Sequence, residues 1–207
     1  MRTLRLFTSL SVMLLMVFAA QTSIAQSKAQ KKEIKAKLKY FKKEKAEVIG
    51  SSRSLEVLLE KHYAKLDAEG YEETIGVSEN CPTTNLCIQH ATNNAQVQYA
   101  TLANSFLKGK MVSESGLDAA RQEGAMDKFY AAYEKQISSN LSGILKQSFA
   151  VKTKDRFEIY FLIDEDGAAR ARRQALERAV EESRANQEWA NSASNFINQS
   201  PDSSLTE

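Results

Sequence analysis

Apolar residues change their spacing several times along this 207-residue chain, and each change marks an element. Leu6 to Ala20 is apolar apart from Thr8, Ser9 and Ser11. Ile34, Leu38, Phe41 and Val48 then fall at steps of 4, 3 and 7, one stripe of a helix. Gly50-Ser51-Ser52 breaks that pattern, and Ser54 with Glu56 offers a cap and an acidic first turn. Leu55, Leu58, Leu59, His62 and Leu66 form the buried stripe of this second helix, which Gly70 ends. Tyr71 to Glu79 alternates like a strand, with Tyr71, Glu73, Ile75 and Val77 on one side. Gly76 inside it allows close approach of another backbone. Thr83 or Thr84 opens a long helix to about Leu107, with Ile88, Ala91, Ala95, Tyr99, Leu102 and Phe106 as its seam. The small residues at the start of that seam let the helix lie close to a sheet.

The second half of the chain continues the alternation. Lys108 to Ser115 is a short strand candidate. Leu117 to Ser139 is helical, with Met126, Tyr130, Tyr133, Ile137 and Leu141 in its seam and a break at Gly143. Leu145, Phe149 and Val151 begin a strand, and Thr153-Lys154-Asp155 makes a polar turn. Phe157, Ile159, Phe161 and Ile163 then alternate with Glu158, Tyr160 and Leu162. A strand apolar on both sides near its end belongs in the sheet interior. A helix from about Ala168 to Asn186 follows, with Leu176, Ala179 and Val180 inward. Arg170, Arg172, Arg173 and Arg178 alternate with Glu177, Glu181 and Glu182, the pattern of a solvated, ion-paired face. Trp189, Phe196 and Ile197 would dock a last helical segment before a loose tail. This order predicts an α+β fold: a mainly antiparallel sheet of about four strands with helices packed on one face, preceded by an N-terminal helical arm. The expected divisions are a signal peptide (1–25), the basic arm and second helix (26–69), an α+β core (70–185) and a C-terminal segment (186–207).

Composition adds destination. The chain is 43% apolar and 26% charged, which excludes wholesale disorder, and its 8 Gly and 2 Pro suit long helices. Arg2 and Arg5 precede the first apolar run, and Ser23-Ile24-Ala25 supplies small residues for cleavage before Gln26. That run is shorter than the roughly 20 residues of a membrane span, which favours a signal peptide over a retained anchor. Export to the periplasm or beyond, including the periphery of the outer membrane, is the expectation. It would set Cys81 and Cys87 in an oxidising compartment, where a disulfide can close the small turn between them. Free thiols and a redox pair are the alternatives, although the spacing is not that of a C-x-x-C site. A metal site would need more ligands, and His62 and His90 are the two histidines of the chain.

Charge is separated along the chain. The formal net charge is +2, and loss of Arg2 and Arg5 leaves the mature chain neutral. Residues 28–47 hold nine Lys and three Glu, so an arm of +6 is balanced by −6 in everything after it. Lys31, Lys32, Lys35, Lys39, Lys42 and Lys43 could meet an anionic envelope surface or an acidic protein. The favoured reading is the solvated face of a helix that packs its stripe on its own domain, since charge runs on helices are usually solvent faces. The absence of Arg in the arm, together with export, argues against nucleic acid.

Catalytic signatures do not stand out. There is no Gly-x-Ser-x-Gly, His-Glu-x-x-His, phosphate loop or Gly-x-Gly-x-x-Gly. Asp164-Glu165-Asp166-Gly167 starts like a calcium loop, but Ala175 stands where the bidentate Glu is required, so an acidic helix cap explains it better. Gly70-Tyr71 leading to Ile75-Gly76-Val77-Ser78, the helix with Ala91, Ala95 and Leu102-Ala103, and the strand Ile159-Tyr160-Phe161-Leu162-Ile163 carry a resemblance over residues 70–183. That segment resembles the small bacterial envelope lipoproteins of about 20 kDa and the related kinase-associated-type envelope domains. The resemblance implies a non-catalytic envelope component. The chain departs from it in lacking the lipid-attachment Cys. The expectation is therefore an exported binding or assembly module without cofactor, catalytic residues or a transmembrane span in the mature chain. An envelope hydrolase with a carboxylate site is the alternative.

Overall fold

The computed structural model describes residues 30–68, 70–115, 123–183 and 193–194. The expected signal peptide, the expected start of a helix at Leu117, and Trp189, Phe196 and Ile197 lie outside the described residues. Among the described residues, five helices and a four-stranded antiparallel sheet make the fold α+β, as the alternation of patterns predicts. In chain order the elements are α1 (residues 30–43), β1 (Glu47–Ile49), α2 (Leu55–Ala68), β2 (Tyr71–Glu79), α3 (Thr84–Ser115), α4 (Glu123–Leu141), β3 (Leu145–Lys152), β4 (Arg156–Asp164) and α5 (Glu165–Ser183). The sheet order is β1-β3-β4-β2 with every pair antiparallel. β4 is interior, as its apolar character on both sides requires. A bulge between Gln147 and Phe149 shifts the register of the β3–β4 hairpin.

Alternation divides β2 and β4 between two faces. Thr74, Gly76 and Ser78, with Phe157, Ile159 and Phe161 across the ladder, turn toward α3, where Cys87, Ala91 and Ala95 complete the layer. Gly76 makes this contact possible: a Cβ there would lie 1.9 Å from the Ala91 carbonyl oxygen. Beyond the sheet, Tyr99, Ala103, Leu107 and Met111 of α3 pack with α4 and α5 around Phe129, Tyr133 and Ile137. A helix of 32 residues spans about 48 Å while the nine-residue β2 spans about 30 Å, so α3 must overhang the sheet.

The opposite face is covered by α1 and α2. Ile34 and Phe41 of α1 and Leu58, Leu59 and Tyr63 of α2 cluster on Phe149, Val151 and Tyr160. α3, α4 and α5 thus gather on one face as expected, and the basic arm forms a layer on the other.

Several expectations need correction. Lys108 to Ser115 is not a strand but the last two turns of α3. Gly109 stands alone, and burial continues through Leu107 and Met111 at steps of four. The seam after Tyr99 therefore runs through Ala103, while Leu102 is 37% exposed. Val48 belongs to β1, not to the α1 stripe. α1 closes where Ala46 N–H donates to Phe41 O and Lys45 takes a φ of 52°, a helix stop made without glycine. The last helix starts earlier than Ala168, at Glu165, where Asp164 accepts from Gly167 N–H as a cap.

Candidate binding groove and its polar clusters

The apolar seat of α1 determines where its lysines go. With Ile34 and Phe41 buried, Lys31, Lys32, Lys35, Lys39, Lys42 and Lys43 are all exposed. None of the six forms an ion pair among the described residues. Lys37, nearer the stripe, behaves differently. Its Nζ lies 3.8 Å from Glu73 Oε1, 4.7 Å from the Tyr160 ring centre and 5.4 Å from that of Tyr63.

Glu73 also reaches His62, its Oε1 2.6 Å from Nε2. His62 is fully buried, edge-on to Tyr63, Phe149 and Tyr160. Its Nδ1 has no hydrogen-bond partner. A carboxylate only accepts, so it is the His62 Nε2 that donates to Glu73. Burial pushes the Glu73 carboxyl up, but the His62 hydrogen bond and Lys37 outweigh it and hold it below its ordinary value. Burial raises the phenols of Tyr63 and Tyr160, and Glu33 and Glu158 raise them further, so both stay neutral donors. Tyr63 donates to Glu33 at 3.0 Å and Tyr160 to Glu158 at 3.1 Å.

A groove of about 480 Å³ opens beside this cluster. Ala36, Lys37, Tyr40 and Phe41 of α1 form one wall. Ile75 and Val77 of β2 and Tyr160 of β4 also line it, and Gln98 reaches it from α3. Arg156 and Glu158 mark one end, ion-paired at 3.1 Å. The size and largely apolar lining with a few charged groups suit a ligand site.

A second polar cluster is closed to solvent. Arg172 of α5 donates through Nη1 to Glu72 Oε1 at 3.1 Å and to the Tyr99 hydroxyl, and Tyr99 donates to Glu72 Oε2 at 2.8 Å. Arg172 is thus not part of a solvated face, as the charge alternation suggests, but 2% exposed. It ties α5, β2 and α3 together. Burial raises the Tyr99 phenol, and Glu72 adds to that.

Cys81 and Cys87 form a disulfide with Cα atoms 5.4 Å apart, closing the loop ahead of α3. Thr83 caps that helix through Leu86 N–H. His90 is exposed on α3, away from His62. Among the described residues no cluster of His, Cys, Asp and Glu could hold a metal, and no helix is long and apolar enough to cross a membrane.

Three carboxylates do share an open groove: Glu44, Glu47 and Asp155. All three are exposed and interleaved with Lys43, Lys45, Lys152 and Lys154.

Sequence reasoning identifies the exposed lysines and the cysteine pair. It misses the His62–Glu73–Lys37 cluster and the groove, because the cluster joins three elements and the groove four, the latter from positions as far apart as Ala36 and Tyr160. The one available signal is Glu73, a charge on the apolar side of β2. Comparisons with family models, with curated proteins and with solved structures return no match.

Proposed function

We propose that this chain is an exported, non-catalytic envelope protein that acts as a binding or assembly module. The observation that carries this reading is the seating of α1. Its apolar stripe is spent on the sheet, while six lysines remain exposed without ion pairs among the described residues, beside an open groove. A cationic face of this kind attracts anionic surfaces and acidic proteins over several ångströms and weakens with salt. The buried acids Glu72 and Glu158 are engaged by Arg172 and Arg156, and the partly buried Glu73 by His62 and Lys37, an arrangement that favours structural roles over catalysis.

The N-terminal segment, with Arg2, Arg5 and the apolar run to Ala20, supports export, and the cysteine pair suits an oxidising compartment. Crosslinking in intact cells tests the module. The expected result is a recovered partner that is lost when Lys31, Lys32, Lys35, Lys39, Lys42 and Lys43 are reversed to Glu. Capture that is unchanged by this reversal would remove the lysine face from the function.

A further inference from the structure

We propose that the open edge of β2 and the groove beside it accept an extended, acid-flanked peptide segment of another protein as a fifth strand. This rests on the binding-module reading and names the partner's chemistry. β2 is an edge strand, hydrogen-bonded only to β4 among the described strands. Val77 N–H points away from β4 and is taken by Asn94 Oδ1 of α3 at 2.9 Å, so an added strand would pair along Glu73 and Ile75 and stop at, or displace, that amide. Alternate residues of an antiparallel strand point the same way. The backbone groups of Glu73 and Ile75 therefore face the same open edge. On the other side β1 covers Ala150–Lys152 of β3, and the rest of β3 carries the bulge between Gln147 and Phe149, which spoils it as a template for an added strand. The nine-residue β2 carries neither Pro nor Lys.

The space along that edge has the form strand addition requires. α1 walls one side and Gln98 of α3 reaches the other, with Ile75 and Val77 between them. Neighbouring strands lie about 4.8 Å apart, and every second side chain of an added strand would point into the groove beside Ile75 and Val77 and against the exposed ring of Tyr40. Apolar residues at those positions match the lining. Acidic flanks match the charge: Glu73 and Glu158 are already paired, whereas Lys32, Lys39 and Lys43 on the outer side of α1 have no ion pair among the described residues. A second copy fits less well. Two β2 edges paired about a twofold axis would set two lysine-rich α1 helices side by side.

The test uses the full chain and fluorescein-labelled nonapeptides that alternate Thr with Val, Leu, Phe or Tyr and end in Asp. Anisotropy at low salt should show saturable binding by at least one of them. N-methylation of one set of alternate amides should weaken it tenfold or more, and methylation of the other set should leave it intact, because only one set faces β2. Tyr40→Asp, at an exposed position, should weaken binding tenfold with an unchanged thermal melt. Absence of binding at 1 mM by all four peptides, or equal loss from both methylation sets, would overturn the inference. Displacement by phosphatidylglycerol vesicles would assign the groove to lipid and overturn it, as would self-association through β2. Peptide binding without partner capture in cells would count against the envelope module and keep the groove. Capture without peptide binding would do the reverse.

Discussion

A methyl group at position 76 would collide with the backbone of α3. The Ala91 carbonyl oxygen would stand 1.9 Å from the new Cβ and its carbon 2.6 Å, and neither can rotate away as a side chain would. Gly76→Ala should therefore lower unfolding stability by about 3 kcal/mol, read from the urea midpoint. This position is legible in the sequence, because a glycine inside an alternating strand marks a bulge or a close backbone approach. Arg172 is not. Its place among Arg170, Arg173 and Glu177 is that of a solvated helix face, and its partner Glu72 lies 100 residues earlier. Glu73 belongs to the same class of hidden residue, and its behaviour is open to titration. Its carboxyl is held below the ordinary value of 4.5, so its contribution is present above that pH and disappears as pH falls through the lower folded value. Wild type should exceed Glu73→Gln by about 2 kcal/mol at pH 7, and the gap should narrow as pH falls below 4.5 in urea melts.

Elements with a repeated period are legible, and their ends are not. β2, the β3–β4 hairpin and the seam of α4 follow from alternation and from steps of three and four. Boundaries fail where the stop is backbone geometry, as at Lys45, or where a residue that often breaks helices does not break one, as at Gly109. α3 continues because Leu107 and Met111 extend a buried row in the core shared with α4, and that packing outweighs one glycine's propensity cost of about 1 kcal/mol. The buried row of α3 is open to mutation at two adjacent positions that face different ways. In the helix Met111 is 1% exposed and Val112 is 59% exposed. Met111→Ala should cost about 3 kcal/mol, and Val112→Ala less than about 0.5 kcal/mol. Comparable losses at both positions would contradict that packing.

At the scale of the whole molecule, the separation of +6 in residues 28–47 from −6 in residues 48–207 raises the question of whether the two segments hold each other. The geometry answers with contacts. α1 is attached through Ile34, Leu38 and Phe41, and among the described ion pairs Lys37 is its one lysine that reaches an acid, Glu73. If electrostatic attraction held the arm, screening would loosen it; if apolar burial holds it, screening mainly relieves repulsion among neighbouring lysines. Raising NaCl from 0.05 to 0.5 M should therefore leave the urea midpoint unchanged or raise it slightly. The same salt step should release the chain from anionic vesicles if the exposed lysines are its point of attachment. Phe41→Ala should behave in the opposite sense. Its ring is buried against Tyr160, so its loss should cost about 3–4 kcal/mol at either salt concentration. A midpoint that falls steeply with salt would mean that the arm is clamped by its own domain's acids, and that its lysines are not available to a partner.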